Sequence, residues 1–304
     1  MDILFALIPQ IAQMFILMSI GYGLFKAGKL SNETVKQLSW ILVNIVIPCV
    51  LFNSFVREFQ IVEFRRFGVV VAYSVLAILI GVVVSKIMFK KNQHLEQFGV
   101  VFSNASFIGI PIILALFGEG ALFYLSAYMV IFILFVFTYG LFLISQKPDE
   151  IQLIRIIKNP NIIAIILGLC VYVLSINLPD LATTTIKMVG TMNTPLSMMI
   201  LGVYLAKRNM SELLRNKKSY LVAFGRLILV PLVTIAVLTV LPGDGMLKMV
   251  VVVVNAVPGA VMLALFADLY QKDATQAAQY VSFSTLLCLV TLPVIVLVAQ
   301  YFLL

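Results

Sequence analysis

Apolar stretches about as long as a bilayer is thick follow one another along this sequence with little between them. A helix needs about 20 mostly apolar residues to cross the hydrocarbon core. The chain offers ten such stretches, near residues 3–25, 38–55, 67–87, 98–117, 121–144, 162–178, 184–205, 220–240, 246–266 and 277–302. The longest polar intervals, SQKPDEIQLIRIIKNP and AKRNMSELLRNKKS, are too short to fold as soluble domains. Of the 304 residues, 62% are hydrophobic and 11% charged, against about 25% charged in ordinary soluble domains. No compact soluble fold of this size covers so much apolar surface. A disordered chain, a disulfide scaffold and a soluble enzyme on one anchor are excluded. The expectation is an all-α membrane protein of ten transmembrane helices. The runs are continuous and do not alternate as barrel strands do, which fits the cytoplasmic membrane. The start, MDILFALIPQ, has Asp2 and no basic region, so it reads as a first spanning helix and not as a cleaved signal.

The formal charge of +8 would suggest nucleic-acid binding on a soluble protein. Here the basic residues sit in short loops between apolar runs, where they set orientation instead, and no nucleic-acid partner is expected. Alternate loops from the first onward hold Lys26, Lys29, Lys36, Lys86, Lys90, Lys91, Lys147, Arg155, Lys158, Lys207, Arg208, Arg215, Lys217, Lys218 and Lys272. The opposite side holds only Arg57, Arg65, Arg66, Lys187 and Lys248, which puts both termini outside. The loop at 56–66, with three arginines, fits this assignment least well. Cys49, Cys170 and Cys288 lie within apolar runs without metal-ligand spacing and read as small hydrophobes.

Ten spans divide into a first five-helix repeat over 1–146, a cytoplasmic linker over 147–160 and a second repeat over 161–304. Rare residues recur between the halves. Span two, ILVNIVIPCV, carries Asn44 and Pro48; span seven, TMNTPLSMMI, carries Asn193 and Pro195. Span four, SNASFIGIPI, carries Asn104, Gly109 and Pro111; span nine, VNAVPGAVML, carries Asn255, Pro258 and Gly259. An odd number of spans per unit makes the two copies insert upside down relative to each other, the inverted-repeat logic of secondary transporters.

Proline lacks an amide hydrogen and clashes with the preceding turn, so Pro111 and Pro258 kink or break their spans near the middle. Broken backbone at that depth is tolerated only where protein or a watery cavity satisfies it. If both helices break and cross, each second half starts at the midplane with a proline in its first turn and offers free amides to an anion. Ordinary kinks are the competing reading, since proline is common in spanning helices. Two such features at matching repeat positions favour a crossing site.

With SNASFIGIPI at 103–112, NAVPGAVMLALFA at 255–267 and ILVNIVIPCVLF at 41–52, the chain resembles the auxin efflux carrier family of membrane transporters. The resemblance covers the whole chain in length, span count and order. It implies a ten-helix 5+5 inverted repeat similar to the sodium/proton antiporter and bile-acid symporter fold. Spans one, two, six and seven would form a scaffold; spans three to five and eight to ten would form a transport domain in which four and nine cross. Family substrates are organic acids, including auxin and malate or malonate. By position, Asn104 and Pro111 belong to one half of the crossing, Asn255 and Pro258 to the other. A homodimer through the scaffold helices is implied by the resemblance alone. The long central loop typical of plant members is absent.

Arg226, six residues into span eight, either snorkels to the cytoplasmic headgroups or stands beside an anionic substrate. No acid is expected at the midplane. Glu119 and Asp268 are taken as the nearest, both at span ends, with Asp268 a cap, an interfacial group or a proton relay. His94, in a basic loop, reads as solvent-facing. Without a midplane acid, uniport or a proton borne by the substrate itself is expected. Ser106 and its neighbour Ser103 flank Asn104 and either touch substrate or bond their own backbone. The candidate substrate-contacting set is Asn104, Ser106, Pro111, Asn255, Pro258, Asn44, Asn193 and Arg226, with no metal or cofactor. The function expected is a secondary transporter of an organic anion, a mono- or dicarboxylate. The alternative is a drug/metabolite-type ten-helix exporter of a neutral or cationic molecule, whose cytoplasmic termini oppose the charge count. One histidine and no intramembrane acid pair argue against a membrane-embedded enzyme.

Overall fold

The computed structural model describes residues 2–147, 153–207 and 215–304. Among them there are helices, turns and one isolated antiparallel bridge, and no strand. The elements are α1 (Asp2–Lys26), α2 (Asn32–Asn53), α3 (Ile61–Met88), α4 (His94–Val101) and α5 (Ala105–Phe117). They continue with α6 (Gly120–Ser145), a short unnumbered helix at Leu153–Ile157, α7 (Pro160–Val173), α8 (Asp180–Ala206), α9 (Lys217–Val240), α10 (Gly245–Asn255), α11 (Met262–Leu269) and α12 (Ala274–Leu303). Among the described residues, six helices are long and apolar enough to cross a membrane, namely α2, α3, α6, α8, α9 and α12. α5, α7 and α10 are shorter apolar helices.

Local chemistry fixes the ends. Ser31 caps α2 by accepting from the Thr34 amide at 3.1 Å, so the helix starts at Asn32, ahead of the apolar run that begins near residue 38. Asn159 caps α7 with Pro160 following, and Asn216, Asp244 and Asp273 cap α9, α10 and α12. α7 stops at Val173, five residues before its expected end at 178, because Ser175 turns into the left-handed region at φ 50°. The linker expected at 147–160 lies partly outside the described residues, at 148–152.

Prolines leave a recurring signature. In α2, α5 and α9 a five-residue π-helical stretch (Leu42–Val46, Ala105–Gly109, Gly225–Leu229) is followed two residues later by Pro48, Pro111 or Pro231. A π turn is wider than an α turn and accommodates the missing amide and the bulk of the ring without ending the helix.

The chain forms two compact units that interleave the two sequence halves. The first comprises Met1–Val69, Ser106–Val130 and Ile154–Lys207. In it α1 lies directly against α8: a Cβ on Gly21 would stand 2.0 Å from the Met199 carbonyl oxygen, and one on Gly202 1.9 Å from that of Met18. Small residues that let backbones meet are the usual means of helix association in lipid. Phe55, Phe67, Phe123 and Tyr172 pack together, with Phe55 and Phe123 ring centroids 5.3 Å apart. The second unit comprises Val70–Ala105, Ile131–Leu153 and Arg208–Leu304, with α12 packed along α9, α10 and α11.

Candidate functional site

Two helical rods are interrupted, and their interruptions meet within the second unit. α4 ends at Val101; Phe102 is extended at φ −102°, ψ 123°, and the helix resumes at Ala105. α10 ends at Asn255, and residues 256–261 run without regular helix before α11. The two gaps are joined by main-chain atoms. The Asn104 amide donates to the Pro258 carbonyl at 2.7 Å, the Ala260 amide donates to the Phe102 carbonyl at 2.9 Å, and Ser103 and Gly259 form the isolated bridge. Ser284 of α12 supports the joint, its hydroxyl accepting from the Gly259 amide at 3.1 Å. The broken segments thus satisfy each other, as backbone removed from water must.

The proline geometry differs from expectation. Pro111 is not at the break, which lies at residues 102–104; it follows the π stretch inside a helix already under way. Pro258 is not in the first turn of its second half, which starts at Met262; it lies in the gap and supplies a carbonyl to the joint. Lacking an amide, proline suits a position where only the acceptor is used. The amides of Gly259, Ala260, Leu263, Ala264 and Leu265 are all engaged, so the second helix start offers fewer free donors than the sequence suggests.

Arg226 is buried at the centre of this arrangement, 0% exposed. Its Nη1 donates to the carbonyls of Val100 and Val101, at 2.9 and 2.8 Å. Its Nη2 donates to the Asn255 carbonyl and, at 2.7 Å, to Asn255 Oδ1. The snorkelling reading of Arg226 is thereby overturned: the guanidinium closes the C-terminal ends of α4 and α10. The Asn255 Nδ2 donates to Thr234 Oγ1 at 2.9 Å, and Thr234 passes a hydrogen bond to the Val230 carbonyl at 2.7 Å. Thr234 was legible as a partner: it lies eight residues beyond Arg226, two turns along one face of α9.

Of the eight residues singled out by sequence, Asn104, Asn255, Pro258 and Arg226 therefore come together in the second unit. The other four belong to the first. Ser106 Oγ lies 3.8 Å from Met129 Sδ, and Pro111 is buried in α5. Asn44 Nδ2 bonds the Trp40 carbonyl of its own helix at 2.9 Å. Asn193 is 2% exposed with neither side-chain polar atom hydrogen-bonded, and it lines a cleft with Asn53, Thr191, Thr194 and the ion pair of Lys187 and Glu119.

Sequence reasoning missed two acidic clusters. Glu96, only 4% exposed, accepts from Lys218 Nζ at 3.1 Å and from the Tyr280 hydroxyl at 2.9 Å. His94 nearby has its pKa lowered from 6.5 by burial and by the Lys272 charge, with Glu96 opposing. In the first unit Glu63 pairs with Arg66 at 2.9 Å and Arg57 at 3.7 Å and accepts from Tyr124. Among the described residues no cluster of His, Cys, Asp or Glu could hold a metal.

Long apolar helices with interrupted rods that meet through their main chains define a multi-pass membrane protein. A family model described as "Membrane transport protein" matches residues 6–296, and the chain belongs to that auxin-efflux-like family. It is similar to an "Uncharacterized transporter" of Methanothermobacter thermautotrophicus, 24% identical over 298 residues that cover 93% of this chain and 95% of the relative. It is also similar to an uncharacterized transporter of Methanocaldococcus jannaschii, 25% identical over 283 residues, 89% and 91% of the two chains. The protein is thus a transporter and not an enzyme.

Proposed function

We propose that the chain is a secondary transporter of an organic anion, built from ten spans in a 5+5 inverted repeat, with substrate bound at the crossing of the interrupted helices and exposed alternately to the two sides of the cytoplasmic membrane. The observation that carries this reading is the joint itself: two broken helices at corresponding places in the sequence halves, held by reciprocal main-chain hydrogen bonds. Such discontinuous helices are where secondary transporters bind substrate, with half-helix starts facing anionic groups. Asn104 immediately precedes the first helix start and supplies a polar side chain there. The carboxylate would meet the first amides of α5, which have no intrahelical acceptor.

The test is a thermal-shift screen of purified protein in detergent against mono- and dicarboxylates, including malate, malonate and indole-acetate. A ligand at 100 times its Kd stabilises the protein by about 2.7 kcal/mol. The expected result is a carboxylate shift that Asn104→Ala removes. A cooperative melt that no carboxylate moves, while neutral or cationic compounds do, refutes the anion reading.

A further inference from the structure

In transporters with discontinuous helices, the coupling cation commonly sits where half-helix C-termini and unwound carbonyls converge. Here that place is filled. The C-terminal carbonyls of α4 (Val100, Val101) and of α10 (Asn255), with the Asn255 side-chain oxygen, surround the Arg226 guanidinium. Each helix C-terminus carries roughly half a negative charge, so two of them present about one. The guanidinium matches that charge and meets four uncharged oxygens with directed N–H groups. We infer that Arg226 is a built-in substitute for a coupling cation, so that the crossing forms without sodium or any other bound metal ion. This makes Arg226 a positioning residue and not a substrate ligand. Its side chain is attached to α9, so the charge cannot leave with the cargo as a dissociable ion does.

Three features support this assignment over a mere packing role. The side chain is completely buried in the unit that holds the joint, where an isolated cation is costly unless its charge is used. It reaches both interrupted rods at once, which a residue bonded to one helix would not. Thr234 holds Asn255 from the other side, turning its Oδ1 toward Arg226. The inference concerns the crossing geometry, and it bears on the transport reading because it removes a coupling ion from that mechanism.

The experiment is a melting titration of the full-length protein in detergent, with sodium, potassium or choline chloride at constant ionic strength, on wild type, Arg226→Lys and Arg226→Ala. Wild type is expected to melt at one temperature in all three salts. Arg226→Ala melts lower and recovers most of the lost interval, saturably, with sodium or with low-millimolar guanidinium, but not with choline. Arg226→Lys keeps the charge and stays indifferent to sodium. If Arg226→Ala does not survive purification, Arg226→Gln carries the same titration. A saturable sodium stabilisation of wild type overturns the inference. So does a neutral variant that is destabilised but deaf to every small cation, because a purely structural side chain would behave that way. No organic anion is added, so failure here and failure of the carboxylate screen are read separately.

Discussion

Replacing Gly202 by alanine puts the α1–α8 contact to a direct test. The new Cβ would stand 1.9 Å from the Met18 carbonyl oxygen, and separations under 3.0 Å are essentially never seen for real Cβ atoms. The obstacle is backbone, so no side chain can swing aside; one helix must retreat by more than 1 Å locally. Overpacking of this kind costs about 1–3 kcal/mol. Alanine's better helix propensity returns at most ~1 kcal/mol. Taking the middle of that cost, ~2 kcal/mol, less ~0.5–1 returned, the net is a loss of about 1–1.5 kcal/mol, and each kcal/mol moves the melting temperature by ~2–4 °C in a domain of 150–250 residues. Gly21→Ala, facing the Met199 carbonyl at 2.0 Å, is expected to behave alike. Gly23 has nothing within 4 Å of its Cβ position, so Gly23→Ala should be neutral or slightly stabilising. Melting curves in one detergent compare the three. A Gly202→Ala protein melting at or above wild type, or a Gly23→Ala protein falling as far, refutes the close-contact argument.

Thr234→Val removes the acceptor of the buried Asn255 amide and should cost about 1–3 kcal/mol, with Thr234→Ser retaining most of the stability in the same melt. Breaking the Lys187–Glu119 pair by Glu119→Gln should change stability by less than ~1 kcal/mol, because both side chains are more than half exposed. His94 has a lowered folded pKa, so its contribution to stability is fully present above 6.5 and lost as pH falls through the folded value. Melting temperature should therefore decline on acidification below 6.5, and His94→Asn should flatten part of that slope.

The apolar runs made most helix positions legible, because burial in lipid leaves a signal that needs no knowledge of partners. The caps at Ser31, Asn159 and Asp244 are equally local, but the sequence reading did not single them out. Asn104 and Asn255 stood out as rare polar residues in apolar surroundings, and both lie at the joint. What failed was anything decided across the chain. Proline predicts a break nearby, yet the π turn before Pro111 absorbs it, and the interruption falls at 102–104 under pairing from residues 258–260. Glu96 sits two residues after a loop histidine and reads as a surface acid; its burial depends on Lys218 and Tyr280, 122 and 184 residues away. Arg226 near a span end looks like a snorkelling cation until the carbonyls of residues 100, 101 and 255 are brought to it.

The joint between the two interrupted rods is made by main-chain atoms at residues 102–104 and 258–260. Every amino acid carries the same backbone, so the side chains beside the joint can be exchanged without removing the bonds that hold it. On the proposed function, assembly and chemical preference are therefore separable: substitutions at and around Asn104 would alter which molecule is recognised while leaving the joint intact, as a lathe accepts a new tool without a new spindle.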